Sequence, residues 1–282
     1  LGRAVGEGGG KRVAAVEIAM RSFKLTVAYD GSDFSGWQSQ PGKRTVQGEL
    51  ERALTQALGG ESIQAIACSR TDAGVHALGQ IVSLDTATRL SAERLAMAVN
   101  AWLPDDLVVR HIEEMKPGFH ALRDTVRKRY RYTIQDGRLR NVITRRQAWH
   151  VRCGLNVERM HEAALRLLGT HDFDSFETKG SERLSTRRTI FDIGVERREA
   201  LESPQVVLEV EANGFLYNMV RNIAGTLVAV GRGREEPGWV SRVLEARDRR
   251  AAGVAAPPQG LCLLRVEIAA GLRLADTAER EE

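Results

Sequence analysis

The chain has 282 residues, 43% of them hydrophobic and 28% charged, the make-up of an ordinary globule with room for one or two domains. Its formal charge of +4 points toward a polyanionic partner, while three scattered cysteines (Cys68, Cys153, Cys262) exclude a disulfide framework and a zinc pair and suit a reducing cytoplasm. The apolar run at 13–20 is broken by Glu17 and falls far short of the ~20 residues of a membrane span, and no signal-peptide cleavage site follows it, so a cytoplasmic protein without membrane association is expected.

In chain order, residues 1–21 hold five glycines and no periodicity; they read as a flexible extension or, over 13–20, a short helix. Residues 23–29 are apolar or aromatic at odd-numbered positions, as in a strand. Asp30-Gly31-Ser32-Asp33 then turns the chain toward Phe34 and Trp37, which composition alone assigns to packing. Thr45 caps a helix to about residue 58, with Val46, Leu50, Leu54 and Leu58 recurring every four residues and Gly59 stopping it. Two strands follow, 63–68 and 80–85, and between them lies the polar octet Arg70-Thr71-Asp72-Ala73-Gly74-Val75-His76-Ala77. An arginine and a carboxylate two residues apart, beside a glycine that lets backbone approach closely, are unusual contents for such a link. A helix follows Ser91, with Leu95, Val99 and Trp102 inward, and ends before Pro104; residues 107–112 are a further strand. The pattern so far is an α+β half on an antiparallel sheet.

Past Phe119-His120-Ala121, a strand places Lys128, Tyr130, Tyr132 and Ile134 on one face and Arg127, Arg129 and Arg131 on the other. Residues 123–146 contain nine Lys/Arg against two Asp. Aromatics interleaved with such a run favour a nucleic-acid face, since bases stack on rings while phosphates meet guanidinium groups. Asn156 caps a helix that buries Met160, Ala164, Leu167 and Leu168 and ends at Gly169. In 171–176 the phenylalanines read as packing and His171 as a hydrogen-bonded core residue rather than a metal ligand. Residues 177–188, with Arg183, Arg187 and Arg188, read as a mobile basic loop, and 190–196 and 206–212 as strands. Asn213-Gly214 leads to a helix with the buried stripe Met219, Ile223, Leu227 and Val230, leaving Arg221 near its start and off that stripe. Pro237 opens another helix, 260–266 form the last strand, and 271–282 a charged tail. The expected division is an extension (1–21), an N-terminal half carrying Asp72 (22–122), a C-terminal half carrying Tyr130 and Arg221 (123–270), and the tail (271–282).

The octet resembles the RTDxGVHA motif of the TruA family of tRNA pseudouridine synthases, and further segments resemble that family in order. They are YDGxxFxGWQ at 29–38, KxYxY at 128–132, HDFxxF at 171–176, FxxxMVRNI at 215–223 and GLxLxxV at 260–266. The resemblance spans roughly 23–268. One departure stands out: in the FHAR-like segment Leu122 replaces the usual arginine, and Arg123 lies one place on.

Matched residue by residue, the resemblance implies that Asp72 is the catalytic nucleophile and that Arg221 pairs with it. It implies that Tyr130 lies against the target uridine and assists proton removal from C5, and that Arg70 takes part in extruding the nucleotide. It further implies two pseudo-symmetric α/β-sandwich halves with mainly antiparallel sheets meeting at a central RNA-binding cleft. A homodimer acting on uridines 38, 39 and 40 of the tRNA anticodon stem-loop also follows from the resemblance. Isomerising uridine exchanges no electron and gains no atom, so neither cofactor nor metal is expected. Burial can raise an aspartate from ~3.9 by 3–5 units and a close arginine can lower it by about 1–3, so Arg221 is expected to offset the burial of Asp72. Whether Asp72 attacks C6 or C1′, or promotes a glycal route, stays open. The competing readings are a synthase with other RNA targets, a non-catalytic RNA-binding module with an RRM-like sheet, and a glycosidase, which would require a second flanking acid.

Overall fold

The computed structural model describes residues 19–178, 185–200 and 204–274. The expected extension over 1–18, Arg183 of the basic loop, and 275–282 of the tail lie outside the described residues.

The N-terminal elements are β1 (Arg21–Tyr29), α1 (Val46–Ala57), β2 (Ile66–Ala67), β3 (His76–Thr86), α2 (Ala92–Asn100) and β4 (Leu107–Met115). They are followed by β5 (Thr125–Asp136), β6 (Trp149–Val151), α3 (Val157–Leu165), β7 (Gly169–Asp172), β8 (Arg187–Arg198) and β9 (Gln205–Ala212). The chain closes with α4 (Met219–Gly231), α5 (Trp239–Ala246) and β10 (Leu261–Ile268). Three helices start at the residues chemistry marks for them. The side chains of Thr45, Ser91 and Asn156 accept hydrogen bonds from the backbone N–H groups of Gly48, Arg94 and Arg159, satisfying donors that a helix start leaves free.

The strands form one mixed sheet in the order β4-β1-β3-β10-β5-β9-β8-β7, with β2 on β3 and β6 on β5. This is an α+β architecture. Strand β10, last in sequence, is the seam. It runs parallel to β3 and antiparallel to β5, aligning Leu263 with both Ala77 and Tyr130. That register sets the polar octet beside the aromatic strand. Gly79 permits the seam, because a Cβ there would lie 2.5 Å from the Leu264 carbonyl oxygen. On the helical side one apolar core runs through the whole sheet, from Phe23 and Leu50 to Leu208 and Leu227. A smaller cluster of Cys68, Ile81, Met115, Phe119 and Ala121 forms separately from it.

Several expectations need correction. Arg21 belongs to β1 rather than to an extension. Of residues 63–68 only Ile66–Ala67 pair as a strand, opposite Ser83 and Val82. Strand β3 begins at His76, so the octet contributes a loop of 70–75 and then enters the sheet. Trp102 lies beyond the end of α2 and is 49% exposed, and Leu168, past the end of α3, is also exposed. His171 is half-buried at a sheet edge, bonded to the Leu168 carbonyl, and is not a core residue. Arg187 and Arg188 open β8 instead of lying in a loop.

Candidate active site

The loop 70–75 is fixed by its backbone before any side chain acts. Thr71 accepts from the N–H of Trp37 through its carbonyl (3.0 Å), and its hydroxyl meets the Tyr29 hydroxyl at 2.8 Å. Gly31 presses against Val75, where an added Cβ would fall 2.0 Å from the carbonyl oxygen. Gln80, fully buried beneath the loop, donates to the Ser69 carbonyl at 2.7 Å. Tyr29, Gly31 and Trp37 therefore hold the loop that carries Asp72, and Phe34, expected like Trp37 as packing, stacks edge-on against Tyr29.

Asp72 faces a cleft of about 1330 Å³ that Arg70, Lys128, Tyr130, Phe215 and Arg221 also line. Arg221 donates from Nη1 to Asp72 Oδ2 at 3.3 Å, from the same nitrogen to Asn218 Oδ1 at 2.7 Å, and from Nε to the Ala256 carbonyl at 2.8 Å. Burial raises the Asp72 carboxyl above the usual aspartate range, and the Arg221 guanidinium offsets part of that rise. Tyr130 is buried, stands edge-on to Phe215 with ring centroids 5.0 Å apart, and shares a hydrogen bond with the Ser69 hydroxyl at 2.9 Å. Burial drives its phenol well above the ordinary tyrosine value, against the opposing Ser69 bond. Lys128 points along the same face and donates to the Cys68 carbonyl. Arg70 is exposed at the cleft wall. All four residues singled out in the sequence, Arg70, Asp72, Tyr130 and Arg221, thus line one cleft.

The opposite face of β5 departs from expectation. Its arginines do not stand free for phosphates. Arg129 is paired with Asp192 (2.6 Å), Glu209 (3.3 Å) and Glu211 (3.1 Å), and Arg131 with Glu209 (2.8 Å). Arg127 lies over the Phe191 ring and within 3.6 Å of Glu211. The alternation that separates the two faces was legible, but the acidic neighbours come from β8 and β9, more than sixty positions away. Leu122 lines the cleft where the family pattern has arginine, and Arg123 does not replace it. Arg123 is held instead by Asp124 at 2.8 Å and the Gly118 carbonyl at 2.6 Å.

Residues 25–121 and 163–267 match the family described as tRNA pseudouridine synthase. The chain belongs to that family. It is 43% identical to the tRNA pseudouridine synthase A of a Thermoanaerobacter species over 88% of this chain and 99% of that protein. It is 45% identical to the protein of the same name from Moorella thermoacetica, over 88% of this chain and 100% of that protein. The corresponding protein of Acetivibrio thermocellus is 41% identical over 88% and 99% of the respective chains.

Membership makes the chain an isomerase of tRNA. Sequence reasoning passed over Ser69, Asn218 and Ala256. Ser69 and Ala256 carry no signal, because one acts through a hydroxyl on a distant strand and the other through a backbone carbonyl. Asn218 did carry one, standing three residues before Arg221 on a helix start, a spacing that brings side chains together. Among the described residues no helix is long and apolar enough to cross a membrane, and no group of three His, Cys, Asp or Glu is placed to hold a metal ion.

Proposed function

We propose that the chain isomerises uridine to pseudouridine in the tRNA anticodon stem-loop, at positions 38, 39 and 40, with Asp72 as the nucleophile. The observation that carries the reading is the Asp72–Arg221 pair inside a cleft that also holds Tyr130 and Arg70. The reaction breaks N1–C1′, turns the uracil, joins C5 to C1′, releases the C5 proton and leaves N1 carrying a proton taken up in its place. It requires a carboxylate at the sugar–base junction and a nucleotide withdrawn from its stack. Arg221 favours the ionised form of the carboxyl that burial opposes, and so supports the charge a nucleophilic Asp72 needs. Tyr130 offers the everted base an aromatic face. Like any tyrosine it is a hydroxyl at neutral pH, and burial extends that state further into the alkaline range, so it acts on the C5 proton through that hydroxyl. Arg70 enters the gap left in the stack, a role its exposure at the cleft wall supports.

The enzyme works as a cytoplasmic homodimer in which one half of each chain, 22–122, supplies Asp72 and the other, 123–270, supplies Tyr130 and Arg221. Incubating the protein with unmodified tRNA transcripts and mapping pseudouridine along them tests the target. Product confined to 38–40 supports the reading; product elsewhere selects other targets, and RNA binding without product selects a non-catalytic module.

A further inference from the structure

Asn218 occupies the first flanking position of α4 with φ 60° and ψ 9°, a left-handed conformation that non-glycine residues adopt infrequently. An asparagine at a helix start ordinarily accepts a hydrogen bond from an N–H one turn ahead, worth about 1 kcal/mol. This one makes no such cap. Its amide is spent across the helix start instead. Oδ1 accepts from Arg221 Nη1 at 2.7 Å, and Nδ2 donates to Thr178 Oγ1 at 3.2 Å. Only that orientation fits, because a guanidinium has donors alone. The Thr178 backbone N–H in turn donates to the Tyr217 carbonyl at 3.0 Å, which ties the segment before it to the turn that carries Asn218.

The distances around Arg221 are uneven in an informative way. Charged hydrogen bonds of this kind usually measure about 2.7–2.9 Å. Arg221 makes contacts of that length with two neutral groups, Asn218 and the Ala256 carbonyl, while its contact with the charged Asp72 is 3.3 Å. Left to electrostatics alone, the guanidinium would close on the carboxylate.

We propose that Asn218 is a positioning residue: it holds the guanidinium of Arg221 at a stand-off from Asp72, so that the carboxylate is supported without being locked into a tight ion pair. The proposal rests on Asp72 and Arg221 acting as described above. The charged and titratable groups around Asp72 are Arg221 from α4, Tyr130 and Lys128 from β5, Cys68 and Arg70 from the stretch leading into it, and Arg188 from β8. Of these, Arg221 alone draws the Asp72 carboxyl downward. Moving Arg221 therefore moves Asp72.

Two variants give opposite signs. Asn218→Gly keeps the left-handed backbone, which glycine adopts freely, and removes only the amide. Nη1 then has Asp72 as its remaining acceptor there, and the pair tightens. Single-turnover rate should fall about fivefold, as for one lost hydrogen bond, with the acid limb of the pH–rate profile moving to lower pH. Asn218→Asp puts a second carboxylate on the same guanidinium, so the acid limb should move to higher pH. KM for tRNA and the melting temperature should stay near wild type in Asn218→Gly. Unchanged rate and pH profile in both variants, or limbs moving in the same direction, would overturn the proposal. Asp72→Asn in parallel separates the two readings. If it turns over at the wild-type rate, the role of Asp72 itself fails; if it is inactive while the Asn218 variants match wild type, only the stand-off fails.

Discussion

Arg221 reaches Asp72 from 149 positions downstream, with Nη1 3.3 Å from Oδ2, and does so from a helix packed within the C-terminal elements. Neither element alone brings the two residues together. It depends on β10 lying between β3 and β5, which brings the loop 70–75 and the start of α4 to one cleft. Replacing Arg221 with alanine should therefore lower turnover far more than tRNA affinity. Burial of Asp72 would then be unopposed, and the acid limb of the pH–rate profile should move further above the ordinary aspartate range. Parallel measurement of kcat and Kd decides this, since an equal loss in both would make Arg221 an RNA contact only.

Tyr130 should remain protonated through the range near pH 10 where exposed tyrosines ionise, because burial raises its phenol. A difference absorbance titration of wild type against Tyr130→Phe should show no step there. Tyr130→Phe should still bind tRNA and should slow the step that releases label from C5.

The arginines behind Tyr130 serve the sheet. Burial pushes the Glu211 carboxyl up, but Arg265 at 2.8 Å and Arg129 at 3.1 Å more than reverse it and hold it below the usual glutamate range. Glu209 is held low in the same way by Arg131 and Arg198. A depressed folded pKa contributes stability that is present above the unfolded value, ~4.3 for glutamate, and that is lost as pH falls through the folded one. Glu211→Ala should cost about 2 kcal/mol at neutral pH and flatten the loss of stability below pH ~4. Urea unfolding at several pH values reads both, and the salt dependence of tRNA binding should be unaffected.

Gly225 carries a different constraint. A Cβ on this α4 residue would sit 1.7 Å from the Val254 carbonyl oxygen, in the segment that also presents Ala256 to Arg221. Gly225→Ala should lower stability by about 3 kcal/mol through overpacking and reduce turnover with it. A variant of wild-type melting temperature would contradict that packing.

Much of this was legible because the signals are local. Thr45, Ser91 and Asn156 announce their helices with capping side chains, and Val46, Leu50 and Leu54 mark the face of α1 that is buried. The octet, Tyr130 and Arg221 stood out as motifs, and the structure sets them around one cleft. The illegible parts are long-range. Residues 63–68 look like a full strand, yet β3 offers β2 only two partners, Ser83 and Val82. Arg129 and Arg131 look like an RNA face until β8 and β9 place Asp192, Glu209 and Glu211 against them. Trp102 keeps helical spacing, but α2 has already ended. Asn218 sits at a helix start, where capping is the default assumption; its backbone angle turns the amide elsewhere.

The most direct test of the whole account is release of tritium from C5-labelled uridine in tRNA, comparing wild type with Asp72→Asn. The substitution removes a charge that burial disfavours, so the variant should be folded and at least as stable as wild type at neutral pH. Its melting temperature serves as the folding control. The account predicts label released by wild type and none above background by the variant at equal tRNA occupancy. Release by Asp72→Asn at the wild-type rate would contradict it.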